Sequence, residues 1–268
     1  LNLAEQLKNA IISPKKYFEM LEQSLSKKIA YIVTICIIVS MMTALIPDIA
    51  AIAAFGGFKN LFTERIPAFK VENGKLTSAD NFDLNMGGVH FYVDTEQTAI
   101  DPEKLDGTND LYFAFGSEEY TSILVQTGMK KEMYRFKVSE VLPDGMDNDS
   151  LVKIIPIIYI SIVFQFVFTT IFVGVKYMLV CLIFSLPFSF LLKMAGQSRN
   201  TFDMLMLCFY ADTLPILVIG VNQALGYIIP PIILSFIGIF ILNRNVRKSL
   251  VSLNDNQDGQ DDNDLFRR

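Results

Sequence analysis

The sequence predicts an α-helical integral membrane bundle of about five apolar segments, with a small, mostly antiparallel β domain inserted on the extracytoplasmic side. Three observations predict it. Hydrophobic residues make up 51% of the chain, mean hydropathy is +0.38 and only 19% of residues are charged, a balance more apolar than a soluble domain of this length carries. Long uncharged runs fill the start and the second half, whereas residues 56–150 are polar and read as strands. Charge divides in the same way: residues 56–150 hold 9 Lys and Arg against 17 Asp and Glu, a net of −8, which leaves +3 for the remainder. Nucleic acid is not expected as a partner of so acidic a chain. Cys36, Cys181 and Cys208 all lie in apolar runs, so neither a disulfide framework nor a thiolate metal cluster is implied.

Residues 1–28 are too polar to cross a bilayer, but Tyr17, Phe18, Leu21 and Leu25 fall on one helical face with Lys15, Lys16, Lys27 and Lys28 around it. Such a helix either lies on the membrane surface or packs on the bundle. Ser13 followed by Pro14 reads as a helix start, with Ser13 as the cap. Residues 29–55 hold the first membrane helix: Ile29 to Ile46 is a run of about 18 uncharged residues, close to the length of one crossing. The lysines ahead of it favour a cytoplasmic N-terminus in the plasma membrane, which puts residues 56–150 outside.

The inserted module opens on a strand ending at Asn73-Gly74, a pair suited to a two-residue hairpin turn. In the later "GGVHFYVDT", Val89, Phe91 and Val93 alternate with His90, Tyr92 and Asp94, which predicts one apolar face and one wet face. "LYFAF", "TSILVQT" and "EMYRFKVSEVL" supply further strands. Residues 151–243 return to apolar character. Ile154 to Val175 suffices for one span; Lys176 and Lys193 bracket a shorter piece that either crosses with both lysines reaching the interfaces or re-enters without crossing. Two more segments follow, up to Leu242. Five crossings leave the basic Arg244, Arg247 and Lys248 outside, against the usual bias; four crossings and a re-entrant piece keep them inside. Residues 244–268 read as a polar, disordered tail, and its partial likeness to a calcium loop fails at Leu265, where a bidentate Glu is required.

The leader "SPKKYF", one span, "IPAFKVENGKL", the strand ending "VHFYVDT" and an apolar second half together resemble a family of bacterial integral membrane proteins, domain of unknown function 1189. Some of its members are labelled maltodextrin utilisation proteins. The matching positions are Ile66, Pro67, Phe69, Glu72, Asn73, Gly74 and Leu76, followed by Asp94 and Thr95. The second half is also similar, through the leader proline and "YADTLP", to Yip-type membrane proteins. The resemblance implies a cell-envelope membrane protein and no established activity.

Asp212 is the sharpest polar candidate, because a charge centred in an apolar helix costs about 2.5 to 3.5 kcal/mol to insert. Pro215 frees the carbonyl of Ala211, so a proton on Asp212 could be shared with that backbone or with Tyr210. The functional reading is a proton or ion relay; the alternative is a neutral acid hydrogen-bonded to a neighbouring helix. Asp48 closes the first apolar run, and Asp203 suits a helix N-terminus. His90 is the only histidine, which excludes a histidine-based metal site and leaves a catalytic triad without support. The acidic stretches around 101–110 and 143–150 read as solvated turns. No cofactor, metal or catalytic constellation is expected. The expected function is a non-enzymatic membrane protein whose extracytoplasmic module binds a partner or ligand, with the lipid bilayer and another envelope protein as partners. A small transporter or channel subunit using Asp212 is the alternative.

Overall fold

The structure, a computed structural model, describes residues 2–85, 89–105, 110–126, 129–194 and 200–265. It is mostly helical with a small β region. The chain forms two compact units, Leu1–Pro47 with Val163–Arg268 (unit 1) and Asp48–Ile162 (unit 2). Unit 2 takes in the 56–150 module together with helical residues on either side.

The leader is broken rather than continuous. Helix α1 (Leu3–Ile12) starts at a capping box in which Asn2 accepts from the Glu5 N–H and Glu5 accepts from the Asn2 N–H. Pro14 then opens a 3₁₀ turn, Pro14–Lys16, that leads into α2 (Tyr17–Leu21). Ser13 both closes α1 and stands at the cap position of this turn, as the sequence predicts, but its side chain makes no cap bond. The Tyr17 hydroxyl donates to the Ala10 carbonyl at 2.7 Å, which folds α2 back on α1. Tyr17 and Met20 are fully buried within unit 1, and Leu25, expected on the same face, is exposed.

Helix α3 (Leu25–Ser40) passes through a π-helical turn, Met41–Leu45, into α4 (Ile46–Ala54). Ile46 N–H reaches back to the Met41 carbonyl there, one residue before Pro47, whose missing N–H interrupts the regular ladder. Beyond Gly56 and Gly57, both at positive φ, come α5 (Phe58–Asn60) and a second π-helical turn, Leu61–Arg65. A hairpin, β1 (Phe69–Glu72) and β2 (Lys75–Ser78), stands beside a five-stranded sheet of β3 (Phe82–Asn85), β4 (Val89–Val93), β5 (Asp110–Phe115), β6 (Glu119–Gln126) and β7 (Met129–Lys137), in that spatial order. Its pairs are antiparallel except β4 with β5.

That parallel pair corrects the sequence reading of a wet face. Parallel neighbours need a crossover, and the residues from Asp94 to Leu105 bury Ile100 and Leu105 with Tyr112, Ala114 and Ile123 while Tyr92 packs against them. His90 and Asp94, expected in water, are therefore buried. The connection lies so close that a Cβ on Gly116 would come within 2.5 Å of the Thr98 carbonyl oxygen. The acidic residues at 106–109 lie outside the described residues.

After α6 (Val138–Val141), α7 (Asn148–Met194) runs for 47 residues, more than twice the roughly 20 that one crossing needs. The two apolar segments expected on either side of Lys176 are one helix, broken by neither Gly174 nor Pro187. Helix α8 (Thr201–Ala224) is followed by a turn in which Gly226 and Tyr227 take positive φ, and α9 (Pro231–Leu265) begins only at the second of two prolines. The last apolar segment is thereby cut short before Arg244, and α9 carries on through residues that composition reads as a disordered tail. Among the described residues, three helices are long and apolar enough to cross a membrane, Leu25–Ala54, Asn148–Met194 and Thr201–Ala224, where the sequence predicts about five segments. The apolar side chains that α7 exposes, among them Phe168, Phe172 and Ile183, suit lipid rather than water.

Unit 1 is built around α8, which is buried almost without interruption from Met204 to Ile216. Tyr31, Ile35 and Val39 of α3 recur every four residues against it, as do Val173, Tyr177 and Cys181 of α7. Small residues allow close approach: Gly174 would place a Cβ 3.5 Å from the Cys36 sulfur, and Gly238 one 3.3 Å from Pro215. Polar anchors are few, notably Tyr31 to Thr213 at 2.7 Å and Lys28 to Asp203 at 3.2 Å.

Candidate functional site

In unit 1, α8 carries Asp212 into a cavity of about 510 Å³, which Pro215 also lines. Lys176 and Tyr177 of α7, Gln223 of α8, and Tyr227 and Ser235 complete its polar boundary. Asp212 is buried, yet no hydrogen bond or ion pair ties its carboxyl group to another described residue; it opens on the cavity. Three positions along an α-helix return to nearly the same face and two do not, so Asp212 and Pro215 share the cavity and Tyr210 does not. Tyr210 instead packs edge-on to Tyr31, ring centroids 5.1 Å apart, and lies 6.2 Å from Tyr17. Its hydroxyl has no hydrogen-bond partner among the described residues. The Ala211 carbonyl, freed by Pro215, accepts from the Asn245 side chain at 3.4 Å. The grouping of Asp212 with Tyr210 and the Ala211 carbonyl is thus dispersed by the helix. Lys176 and Asn245 enter in their place, and only tertiary packing could identify them.

Asp203 stands in the first turn of α8, where a carboxylate complements the helix dipole, and its ion pair with the buried Lys28 adds a role the sequence did not announce. Cys36, Cys181 and Cys208 are buried and free. No group of His, Cys, Asp or Glu among the described residues could hold a metal ion.

In unit 2, the positions Pro67 to Asp94 build a frame. Asn73 and Gly74 form the β1–β2 turn with φ of 52° and 74°, and Asp144 accepts from the Gly74 N–H at 2.8 Å. Glu72 is exposed and pairs with Lys70. Asn148 holds the entry to the hairpin: its side-chain oxygen accepts from the Phe69 N–H at 3.0 Å, and its amide donates to the Phe62, Ile66 and Pro67 carbonyls at 3.0, 3.2 and 3.3 Å. Buried Asp94 accepts from the Glu96 N–H and the Gln97 amide, fixing the turn into the crossover. Buried His90 stacks on Tyr112 with centroids 4.3 Å apart and contacts Asp83 through Nδ1 at 2.8 Å. Asp147, just before α7, accepts from both the Ser150 hydroxyl and its N–H, which holds the carboxyl below the ordinary carboxylate range.

Beside this frame lies a partly open apolar cavity of about 340 Å³. Phe82, Leu84, Phe91, Val93 and Phe115 line it from the sheet, and Phe69 and Leu76 from the hairpin. Phe58, Leu61, Phe62, Ile66, Leu142, Met146 and Leu151 complete the lining. Every lining residue is hydrophobic. Of the predicted motif positions, Ile66, Phe69 and Leu76 line this cavity; Pro67, Glu72, Asn73, Gly74 and Asp94 shape its surroundings.

No curated protein and no solved structure matches the chain. A model of the family described as "Protein of unknown function (DUF1189)" matches residues 4–244, nearly the whole sequence, and the chain belongs to that family.

Proposed function

We propose that this chain is a non-enzymatic, multi-pass protein of the bacterial plasma membrane, with a cytoplasmic N-terminus and residues 56–150 forming an extracytoplasmic ligand-binding module. The observation that carries this reading is the apolar cavity of unit 2. The cavity is partly open, and its walls are an apolar surface that meets water when nothing covers it, at about 25 cal/mol for each Å² left exposed. An apolar cavity gives water no partners, and its size lies within the range of small-molecule sites. A bound apolar group removes the cost. The basic Lys15, Lys16, Lys27 and Lys28 ahead of α3 favour the orientation.

Two measurements test it. A cysteine at Asp80, in a background lacking Cys36, Cys181 and Cys208, is expected to react with an impermeant maleimide in intact cells; reaction only after permeabilisation overturns the orientation. Native mass spectrometry of the full chain is expected to reveal a bound mass that a cavity-filling Leu84→Trp variant lacks, and a bare chain in both overturns ligand binding.

A second reading rests on Asp212, whose carboxyl group opens on a cavity shared with Lys176 and Gln223. It makes the bundle a small transporter or channel subunit. Asp212→Asn is then expected to abolish pH-dependent flux in liposomes, and unchanged flux removes Asp212 from the mechanism.

A further inference from the structure

We infer that the ligand of the unit 2 cavity is a single acyl chain of a membrane phospholipid; the inference rests on the ligand-binding reading above and names the ligand. The lining decides the chemistry. A sugar, amino acid or nucleotide would surrender its hydrogen bonds to water and receive none from phenylalanine, leucine, isoleucine, valine and methionine side chains. Only a hydrocarbon portion gains by entering, and any polar end must stay at the opening. A narrow, flexible chain suits a space of about 340 Å³ bounded by residues from the sheet, the hairpin and three helical stretches.

The position of the cavity along the chain decides the source. Leu151, in its wall, lies on α7 one turn before Ile154. From there the helix exposes Ile154, Ile157, Tyr159 and Ile160 in succession. Phe58, also in the wall, packs edge-on against Tyr159 with ring centroids 5.4 Å apart. Phe58 also follows α4, whose Ile49 is exposed. Within unit 2, therefore, an apolar surface continues from the cavity wall onto helical residues that belong to the two longest membrane-length helices. An acyl chain can pass along that surface without meeting a charged side chain in the wall, whereas a polar solute has no such route. A tyrosine at this point suits the level where helices leave hydrocarbon for the headgroups, where that residue is enriched. The aromatic row Phe91–Phe113–Tyr120–Phe136 crosses the same sheet face, with neighbouring centroids at 5.3, 6.3 and 6.2 Å, so that face presents flat apolar rings well beyond the cavity.

The experiment uses the full chain in nanodiscs made with a phospholipid that carries a photoreactive diazirine near the end of one acyl chain. After irradiation, adducts are mapped by mass spectrometry. The expected result is labelling of peptides containing Phe62, Leu76 and Phe91, reduced at least tenfold by Leu84→Trp, with labelling of α7 beyond Ile160 unchanged. Should Leu84→Trp lower the unfolding midpoint, Met146→Phe serves as the second filling variant. Adducts confined to α3, α7 and α8, with none in residues 62–93, overturn the acyl-chain assignment. If native mass spectrometry still finds a bound mass in that case, the ligand-binding reading stands and its ligand is not a phospholipid. If no mass is bound, both fall together.

Discussion

Each unit holds a cavity, and the two linings oppose one another chemically. The 510 Å³ cavity of unit 1 has a carboxyl group and an ammonium group on its boundary, Asp212 and Lys176, among otherwise apolar helices. The 340 Å³ cavity of unit 2 is the reverse: an apolar interior within the polar, acidic part of the sequence. The units also differ in what holds them. Unit 1 relies on helix packing through an almost fully buried α8 and close approach at small residues, where a modest change in shape can be absorbed. Unit 2 relies on side chains that grip the backbone, Asn148, Asp144 and Asp94 above all, around a space that packing does not fill. Polar groups are thus placed where they can act in unit 1, and where they keep a cavity in shape in unit 2.

That contrast is sharpest at the glycines and at the backbone clamps. Gly116→Ala in unit 2 drives a Cβ into the Thr98 backbone, and is expected to cost about 3 kcal/mol, the upper end for overpacking; an unfolding midpoint in detergent within a degree of the parent would break the account of the crossover. Asn148→Ala removes one acceptor and a donor shared by three carbonyls. The expected loss is about 2 to 3 kcal/mol, accompanied by faster proteolysis between residues 62 and 72. Gly74→Ala combines a φ of 74° with a Cβ contact of 3.1 Å to Ser139, for about 1 kcal/mol. In unit 1 the equivalent change, Gly174→Ala, meets only the Cys36 sulfur at ordinary contact distance and is expected to stay within about 0.5 kcal/mol. A larger loss there would erase the contrast between units.

The smallest effect concerns pH. Because the Ser150 hydroxyl and N–H lower the Asp147 pKa in the folded state, its contribution is present above the ordinary carboxylate pKa of about 3.9. It fades as pH falls through the lower folded value. Asp147→Asn should remove that contribution at neutral pH and make acid unfolding less steep in that window, as hydrogen exchange at the start of α7 would reveal. An unchanged acid limb would mean that the cap does not outlast the unfolded state.

Much was legible from residue order alone. Uncharged runs mark the membrane-length helices, since burying a backbone in hydrocarbon demands a continuous helix. Asn73-Gly74 marks the hairpin, since both turn residues need positive φ. Asp212 stands out because a carboxyl group in an apolar run is costly wherever it goes. Family membership was carried by the spacing of Pro67, Phe69, Asn73, Gly74 and Asp94. Other features depend on partners remote in sequence, and local pattern is silent about them. The alternation in β4 promised a wet face, but a parallel neighbour and its crossover covered it with Ile100 and Leu105. Tyr210 is two positions from Asp212 and faces elsewhere, because helical geometry separates residues that the sequence sets side by side. Lys176 read as a boundary between two segments and became part of an unbroken α7. The sequence by itself determined which stretches are apolar, where turns are permitted and which charges are expensive, all properties of residues and their near neighbours. Tertiary structure alone decided that apolar side chains from the hairpin, the sheet and α7 would surround an open space, because a cavity arises from surfaces that fail to interdigitate, and no segment read singly records that failure.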